Sequence, residues 1–498
     1  MSAASLVDHG VELAWLLAGL AAAPRILVRD LTLDSRSVQP GDAFVALAGR
    51  TTHGLDHAEE AVAHGAVAIL WDPAEGRGLP SLPPAVTAVS VPGLRPELGD
   101  VADRFYRRPS TQAVLTAITG TNGKTTCAWL LAQCHGSGGA YLGTLGSGRP
   151  ARLTPASHTT PDVVTLHRTL RALVDDGAQH VALEASSHAL DQERLAGAQL
   201  PITGFTNLTR DHLDYHGTMA AYGAAKERLF HRRGVRHAVI NVGDRFGREL
   251  AARLPAGVTL TTVRADGVVP AGGRHVVAQR VDCDTRGLAV TGTTHAGRFE
   301  LRSPLIGAFN ADNELLVLGL LLAADMPLPQ ATAALSTAVA PPGRMEAFTR
   351  GSEGPTLVVD YAHSPDALTK ALAALRAHTT GRLWCVFGCG GDRDPGKRPL
   401  MAAAVEAAAD RIVITDDNPR SEDPERIVAM LSGALTGRVP VHIEHDRAKA
   451  IAAATAEARP GDVVLIAGKG HEDYQLYGTE RRHYSDREVA RALAAGTA

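Results

Sequence analysis

The last third of the chain alternates short apolar runs with helical runs. The apolar runs predict strands at Thr356–Asp360, Arg382–Phe387, Arg411–Thr415, Pro440–Glu444 and Asp462–Ala467. The intervening runs predict helices at Pro365–Leu375, Pro399–Ala409, Pro424–Leu435 and Ala448–Ala458. Alternation of this kind is typical of a parallel, doubly wound sheet, whose ligands bind beyond the carboxyl ends of its strands. Polar clusters follow these strands at Asp360 and His363, Gly388–Asp394, Asp416–Arg420 and Gly468–Glu472.

The middle of the chain combines strand–helix units with a β-prone run. The pattern predicts strands and one helix at Val114–Thr119, His180–Leu183, Pro201–Phe205 and Lys124–Gln133. Residues 255–302 are rich in Val, Thr and Gly, and we expect antiparallel strands there. Asn313–Ala324 predicts a mostly buried helix, after which Pro341 and Pro342 interrupt the chain.

The first segment mixes short strands with turns. Leu31–Ser35 and Ala43–Leu47 are predicted strands, and the apolar run Val11–Ala23 predicts a packed helix. That run is shorter than the roughly 20 residues of a membrane span, and no basic residue precedes it as in a signal peptide. Prolines at 92, 96 and 109 favour a boundary at the end of this segment. We therefore predict three α/β domains, at 1–107, 108–340 and 341–498.

Composition and charge narrow the classes of function. A net charge of −3 over 498 residues offers no footprint for nucleic acid or for anionic lipid. The five cysteines lie far apart with no CxxC pair, which argues against a disulfide framework or a zinc site. We therefore expect a cytoplasmic protein that is not inserted in a membrane, and a monomer.

The sharpest local motif follows the first strand of the middle segment. Thr119-Gly120-Thr121-Asn122-Gly123-Lys124-Thr125-Thr126 leads from that strand into a helix. Backbone N–H groups in such a turn can cradle phosphate oxygens, Lys124 would neutralise phosphate charge, and the Thr125 hydroxyl would bind Mg²⁺. Ile118 stands where the usual loop has its first glycine, so this is a shorter variant. The motif predicts a P-loop ATPase-like central domain, and an ordinary glycine-rich turn is the alternative.

Further motifs occur in the order found in one known family. They are Leu33-Asp34-Ser35-Arg36, Glu184-Ala185-Ser186-Ser187-His188, Asp211-His212-Leu213-Asp214-Tyr215-His216, Ala224-Ala225-Lys226, Pro342-Gly343-Arg344-Met345-Glu346, Asp360-Tyr361-Ala362-His363, Gly390-Gly391-Asp392-Arg393-Asp394, Asp417-Asn418-Pro419-Arg420 and Gly468-Lys469-Gly470-His471-Glu472-Asp473. With the phosphate loop, they resemble the Mur ligase family over residues 33 to about 487. The resemblance is greatest to the family's ligases that add the third residue of the peptide.

The resemblance implies an ATP-dependent reaction in peptidoglycan precursor synthesis and cell wall biogenesis. The substrates would be UDP-N-acetylmuramoyl-L-Ala-D-Glu and diaminopimelate, joined through an acyl phosphate. It also implies a small N-terminal domain for the UDP precursor, a central ATP-binding domain and a Rossmann-like C-terminal domain for the amino acid. The same reaction with L-lysine, or another amide ligation of the family, stays an alternative.

The resemblance assigns roles to the residues around the ATP. Lys124, Glu184, His212, Lys226 and Arg344 would be catalytic, and Thr125, Glu184, His212 and Lys226 would hold Mg²⁺, with Lys226 carbamylated. The nucleotide would be bound by Gly120, Thr121, Asn122, Gly123, Lys124, Thr125, Thr126, Asn310, Arg344 and Asp360. From the residues alone, Lys226 is a cation on a helix, His212 a surface or core histidine, and Asp360 a helix N-cap.

The precursor and the amino acid would be bound by separate sets. The resemblance places the precursor at Leu33, Ser35, Thr159, Thr160, Ser186, Gln192 and Arg194. It places the amino acid at Arg393, Asp417, Asn418, Pro419, Arg420, Gly468 and Glu472. Arg420 can pair with the distal carboxylate of diaminopimelate, and Glu472 with its ammonium group.

The motifs argue against two other classes of protein, an oxidoreductase and a non-catalytic P-loop switch. Gly388-Cys389-Gly390 follows a strand as in a dinucleotide-binding oxidoreductase, but the third glycine of that fingerprint falls at Arg393. A non-catalytic P-loop switch would leave Glu184, His212 and Lys226 without a shared role. An amide ligase accounts for all of these motifs together.

Overall fold

The computed structural model describes residues 10–49, 51–156, 158–349 and 351–496, and in these it has three main β-sheets in chain order. Each sheet has its own hydrophobic core. This arrangement confirms the predicted three-domain α/β architecture. The boundaries near 107 and 340 stay predictions, and residues 1–9 and 497–498 of the predicted domains lie outside the described residues.

The N-terminal domain is a small parallel sheet covered by helices. Its elements are β1 Val11–Glu12, α1 Leu13–Leu16, β2 Leu27–Val28, β3 Leu31–Thr32, β4 Ala43–Ala46, α2 Ala58–Ala63, β5 Ala68–Trp71, β6 Thr87–Ser90 and α3 Leu94–Phe105. The sheet order is β3-β4-β5-β6, and β1 pairs with β2 as a separate ribbon.

One prediction for this domain was wrong in part. The apolar run that begins at Val11 is packed as expected, but it is helical only in α1, because its first residues pair with β2. The segment with prolines at 92, 96 and 109 contains helix α3. Pro96 is tolerated there because it lies in the first turn, where backbone N–H groups have no partner within the helix.

The central domain has a long mixed sheet. Its strands are β7 Val114–Thr119, β8 Gly139–Gly143, β9 Gly146–Arg149, β10 Arg152–Thr154, β11 His180–Glu184, β12 Ile202–Phe205, β13 His237–Asn241, β14 Thr259–Arg264, β15 Arg274–Asp284, β16 Gly287–Thr294 and β17 Gly297–Ser303. Its helices are α4 Lys124–Cys134, α5 Val163–Asp175, α6 Ser187–Asp191, α7 Leu213–His216, α8 Met219–Glu227, α9 Arg245–Ala252, α10 Phe309–Ala323 and α11 Leu328–Thr337.

The order of this sheet is β10-β9-β8-β11-β7-β12-β13-β14-β15-β16-β17. The strands from β8 through β11, β7, β12, β13 and β14 to β15 are parallel neighbours, while β15, β16 and β17 are antiparallel. The prediction of antiparallel strands over 255–302 was therefore wrong for β14, which extends the parallel part of the sheet. The phosphate loop follows β7, which lies in the interior of the sheet.

After a polar first turn, helix α10 is apolar around nearly its whole circumference, and it packs against both the sheet and α4. At 15 residues it is too short to cross a bilayer, and no other helix in the described ranges is long and apolar enough to do so. Glu314 is the ionisable residue of α10 whose side chain is fully buried. Burial raises the pKa of Glu314 to about 8, so its carboxyl group is protonated at neutral pH.

Stability should therefore fall as the pH rises from about 5 to about 8. In that range the unfolded chain, with an ordinary glutamate pKa near 4.5, has lost a proton that folded Glu314 retains, so unfolding releases a proton. Glu314→Leu should be more stable than the wild type at the upper end, and its slope should be smaller by up to about 1.4 kcal/mol per pH unit. Denaturant unfolding across this range measures the slope. Equal slopes in wild type and variant would contradict a buried, titrating Glu314.

The C-terminal domain has the predicted doubly wound sheet. Its elements are β18 Glu346–Thr349, β19 Thr356–Asp360, α12 Pro365–Arg376, β20 Leu383–Phe387, α13 Lys397–Glu406, β21 Arg411–Ile414, α14 Pro424–Ser432, β22 Val441–Ile443, α15 Arg447–Glu457, β23 Val463–Ala467, β24 Tyr474–Tyr477, β25 Glu480–His483 and α16 Asp486–Ala495. The sheet order is β18-β19-β23-β20-β21-β22, with only β18 antiparallel. The hairpin β24–β25 lies apart from this sheet.

The N-terminal and central domains meet at a tight interface between α3 and α5. Nearby, a Cβ atom on Gly99 of α3 would collide with the backbone of Ala196, which follows α6, so these two segments approach as closely as only glycine allows. Beside them, Arg168 of α5 forms an ion pair with Asp30 at 3.0 Å and donates to the hydroxyl of Tyr106 at 3.1 Å. These contacts join the two domains by both packing and charge.

Candidate active site

Two glycines shape the phosphate loop between β7 and α4. Gly120 has φ +146° and Gly123 has φ +86°, backbone angles that residues with a Cβ atom rarely adopt. A Cβ on Gly120 would collide with the hydroxyl of Thr206, and one on Gly123 with the amide oxygen of Asn313. The loop is therefore fixed against neighbouring segments, and both predicted glycines are required by its geometry.

The loop leaves donors for an anion at the start of α4. The N–H of Asn122 donates to Asn207 Oδ1 at 3.0 Å, whereas α4 has no side-chain cap at Gly123. Lys124 Nζ donates to the carbonyl groups of Gly120 at 3.0 Å and Thr121 at 2.9 Å. A helix N-terminus with an adjacent ammonium group binds phosphate well, and burial lowers the pKa of Lys124.

Glu184 ends β11 beside this loop and is fully buried. Its carboxylate accepts hydrogen bonds from the Thr125 hydroxyl at 2.9 Å, the Thr144 N–H at 2.9 Å and the Tyr141 hydroxyl. The predicted residues Thr125 and Glu184 are thus brought together. Tyr141 and Thr144 were missed because their segment carries no recognisable motif.

Lys226 of α8 is also buried, and it shares an acceptor with Lys124. Its Nζ donates to the carbonyl of Gly120 at 2.8 Å and lies 4.3 Å from the centre of the Tyr222 ring. Burial and the nearby charge of Lys124 lower the pKa of Lys226 to about 6. Lys226 is therefore mostly an uncharged amine at neutral pH, and it is no surface cation.

His212 belongs to a neighbouring group of rings. Its side chain is 46% exposed, its Nε2 lies 3.6 Å from Asp211 Oδ2, and its ring centre is 5.0 Å from that of His188 and 6.0 Å from that of Tyr222. Because the Tyr222 ring also contacts Lys226, the group of rings around His212 lies next to Lys226. Thr125 and Glu184 are joined by a hydrogen bond, whereas His212 is connected to Lys226 through the Tyr222 ring.

A metal ion in this region would have to complete its coordination with water or substrate. Among the described residues, no three His, Cys, Asp or Glu side chains stand close enough together to hold one. The Thr125 hydroxyl and the Glu184 carboxylate offer two oxygens beside the phosphate loop. That pair fits Mg²⁺, which prefers oxygen ligands, keeps several waters and binds phosphate oxygens.

Three further residues predicted to bind the nucleotide lie at the start of α10 and in the C-terminal domain. Asn310 is buried, and its Nδ2 donates to the Ile306 carbonyl at 2.7 Å. The Arg344 guanidinium lies 4.9 Å from the centre of the Tyr361 ring.

Asp360 holds the turn that carries Arg344. Its carboxylate accepts from the N–H groups of Met345 and Ala362, each at 2.9 Å, and burial raises its pKa. The alternative of a helix N-cap is wrong for Asp360, because Ser364 caps α12.

The central-domain residues assigned to the precursor form a connected group next to Glu184. The Thr160 hydroxyl donates to the Glu184 carbonyl at 2.7 Å, and Arg194 Nη1 donates to the Thr160 carbonyl at 2.8 Å. Arg194 also donates to Gln192 Oε1, and the Ser186 side chain caps the N-terminus of α6. The hydroxyl oxygens of Thr159 and Thr144 lie 3.1 Å apart.

Leu33 and Ser35 lie in the N-terminal domain. Leu33 packs against that domain's core, and the Ser35 hydroxyl donates to Glu60 Oε2 at 2.6 Å.

The residues predicted to bind the incoming amino acid lie together at the carboxyl ends of β21 and β23. Asn418 Nδ2 donates to Glu472 Oε2 at 3.1 Å, and a Cβ on Gly468 would lie 2.7 Å from Asp417 Oδ2. Lys469, which the sequence did not single out, is fully buried here and donates to both Asn418 and Glu472. Glu472 is therefore already paired with one ammonium group.

Two arginines lie beside this cluster. Arg420 has φ +56° and donates from Nη1 to the Gly391 carbonyl at 2.7 Å, while its own N–H donates to the Leu476 carbonyl at 2.9 Å. Hydrogen bonds from Ser421, and then the charges of Arg420 and Arg393, lower the pKa of Asp392. Arg420 and Arg393 thus both lie beside the loop that contains Gly390 and Gly391, and Pro419 packs against Gly391.

Comparisons with known proteins identify the family of the chain. Residues 28–119 match the Mur ligase family catalytic domain, 118–321 the Mur ligase middle domain, and 343–470 the Mur ligase glutamate ligase domain. A UDP-N-acetylmuramoyl-L-alanyl-D-glutamate--2,6-diaminopimelate ligase of Xylella fastidiosa is 49% identical, covering 98% of this chain and 99% of its own. A solved structure of a ligase with that name is 35% identical with a TM-score of 0.74, covering 98% and 99% of the two chains. The middle-domain match covers both the loop after β7 and the buried Glu184, and the chain belongs to the Mur ligase family.

Proposed function

We propose that this protein joins diaminopimelate to the D-Glu carboxylate of UDP-N-acetylmuramoyl-L-Ala-D-Glu at the expense of ATP. The observation that carries the proposal is the position of Arg420 beside Arg393 and the Asp417–Glu472 cluster, at the end of the parallel sheet. An arginine there suits the second carboxylate of diaminopimelate, which lysine lacks. The relative from Xylella fastidiosa supports the same substrate by its name.

The reaction has two chemical steps. The D-Glu carboxylate attacks the γ-phosphorus of ATP, which forms an acyl phosphate and releases ADP. The amine of diaminopimelate then attacks the acyl carbon, loses a proton and expels inorganic phosphate. Both steps concentrate negative charge, so catalysis comes mainly from positioning and charge stabilisation.

The residues of the central domain divide this work. Lys124 and the N-terminal N–H groups of α4 hold the transferring phosphate, while Arg344 approaches from the C-terminal domain. Mg²⁺, held by the oxygens of Thr125 and Glu184, would offset phosphate charge. The uncharged amine of Lys226 can take up CO₂, and the resulting carbamate would place a second anion near His212. Arg194 and Thr160 suit the carboxylate and amide groups of the precursor.

Phosphate release with the UDP precursor, measured against a panel of amino acids, tests this function. We expect turnover with diaminopimelate and little with L-lysine or D-Ala-D-Ala. Equal turnover with L-lysine would overturn the proposed specificity, and turnover only with D-Ala-D-Ala would make it a different ligase of the family. We further propose that the enzyme acts in the cytoplasm as a monomer.

Arg420→Ala should raise the KM for diaminopimelate by about one to two decades, because it removes a charge-assisted hydrogen bond worth roughly 1.5–3 kcal/mol. The KM for ATP should change little. Lysine should gain relative to diaminopimelate, because it has no distal carboxylate to leave unpaired. Values of kcat/KM for both amino acids test this, with the exposed Arg438→Ala as the control. An unchanged ratio would mean that Arg420 does not contact the distal carboxylate.

A further inference from the structure

His378 connects the C-terminal domain to the central domain through both ring nitrogens. It follows α12 and is 2% exposed. Its Nε2 accepts the N–H of Gly307 at 2.8 Å, and its Nδ1 lies 2.7 Å from the carbonyl of Asp284 in the β15–β16 hairpin. Because Nε2 is an acceptor, the proton of the neutral ring is on Nδ1, which donates to Asp284.

Apolar packing from the C-terminal domain also holds the segment that contains Gly307. Ile306 is 3% exposed and belongs to the hydrophobic cluster of the C-terminal domain, with Val358 and Leu372. Gly307 is buried and has φ +94°. Residues 306 and 307 belong to the central chain segment but are held by the C-terminal domain.

A series of side-chain contacts continues from this segment to the phosphate loop. Asn310 Nδ2 donates to the Ile306 carbonyl at 2.7 Å, and Asn313 Nδ2 donates to Asn310 Oδ1 at 2.7 Å. Asn313 Oδ1 in turn accepts from Cys127 Sγ at 3.4 Å and packs against Gly123. The position of residue 306 therefore affects the position of the phosphate loop.

We propose that His378 is a positioning residue for the nucleotide. It holds the Ile306–Asn313 segment so that Asn310 and the phosphate loop present one fixed surface to ATP. This rests on the proposed function, which consumes ATP, and on the prediction that Asn310 binds the nucleotide. Without His378, the buried N–H of Gly307 loses its acceptor, so the segment is destabilised or moves until the N–H finds another partner. Nucleotide affinity should suffer, since Asn310 and Gly123 move with it.

The test compares His378→Leu, which removes both hydrogen bonds, with His378→Gln, whose amide can accept from Gly307 and donate to Asp284. Titration calorimetry with a non-hydrolysable ATP analogue should show about tenfold weaker binding for leucine and near-complete rescue by glutamine. The KM for ATP should rise with little change in kcat at saturating ATP, and the KM for diaminopimelate should stay the same.

Ile451→Ala is the matched control, because Ile451 is fully buried in α15 and belongs to a hydrophobic cluster that does not include Ile306. It should lower stability without weakening nucleotide binding. Wild-type nucleotide affinity in His378→Leu, or an equal loss in Ile451→Ala, would overturn the proposal. If His378→Leu does not fold, His378→Asn is measured against the same expectations. A wild-type protein that binds no ATP analogue would instead overturn the proposed function.

Discussion

Lys124→Ala should reduce ATP-dependent phosphate release by at least about two to three decades. Lys124 is the cation of the phosphate loop, and removing one donor aimed at developing charge typically costs that much. The fold should persist, because the Lys124 ammonium donates only to carbonyl groups of its own loop, at Gly120 and Thr121. Phosphate release and the circular dichroism spectrum of the variant measure the two effects.

Lys449→Ala provides the control, since the Lys449 side chain is 74% exposed on α15 of the C-terminal domain. It should keep wild-type turnover. Normal turnover in Lys124→Ala would show that the loop does not bind the transferring phosphate.

Lys226→Ala should be nearly inactive and should recover part of its activity with acetate. In the wild type, the low pKa of Lys226 leaves an uncharged amine that can form a carbamate, and a small carboxylate could supply the missing anion. Turnover of the variant, measured with increasing acetate at constant ionic strength, checks this expectation.

Lys226→Arg separates charge from chemistry, because arginine keeps a cation at this position but cannot form the carbamate. It should be as inactive as the alanine variant, and acetate should not rescue it because the site is filled. Full activity of Lys226→Ala without acetate would mean that the buried amine has no role in the reaction.

The strands and helices with clear periodicity were predicted well. Each strand predicted in the C-terminal domain is present, and β7 has the predicted bounds of Val114 and Thr119. Apart from the exposed edge strand β22, these elements bury nearly continuous apolar runs, so the pattern alone defines them. The three consecutive antiparallel strands β8, β9 and β10 were missed because their residues include several glycines and few large apolar side chains.

Site residues were predictable only where a motif marked them. The phosphate loop and Glu184 have such motifs, whereas Tyr141 meets Glu184 across 43 positions and His378 meets Gly307 across 71. Partners so distant in sequence are decided by the fold, which local patterns do not encode. Lys469 lies within the Gly468–Asp473 motif, but nothing in the sequence indicates that its ammonium group pairs with Glu472.

The collision that any side chain at Gly99 would cause with Ala196 has a thermodynamic consequence. With the Arg168–Asp30 ion pair beside it, this contact leaves the first two domains little freedom to reorient. We expect the distance between the precursor and ATP sites to be determined when the chain folds. The entropy of aligning these two substrates is then lost during folding and not at each turnover, a form of preorganisation. Only the domain that carries the amino acid would still have to be brought into place.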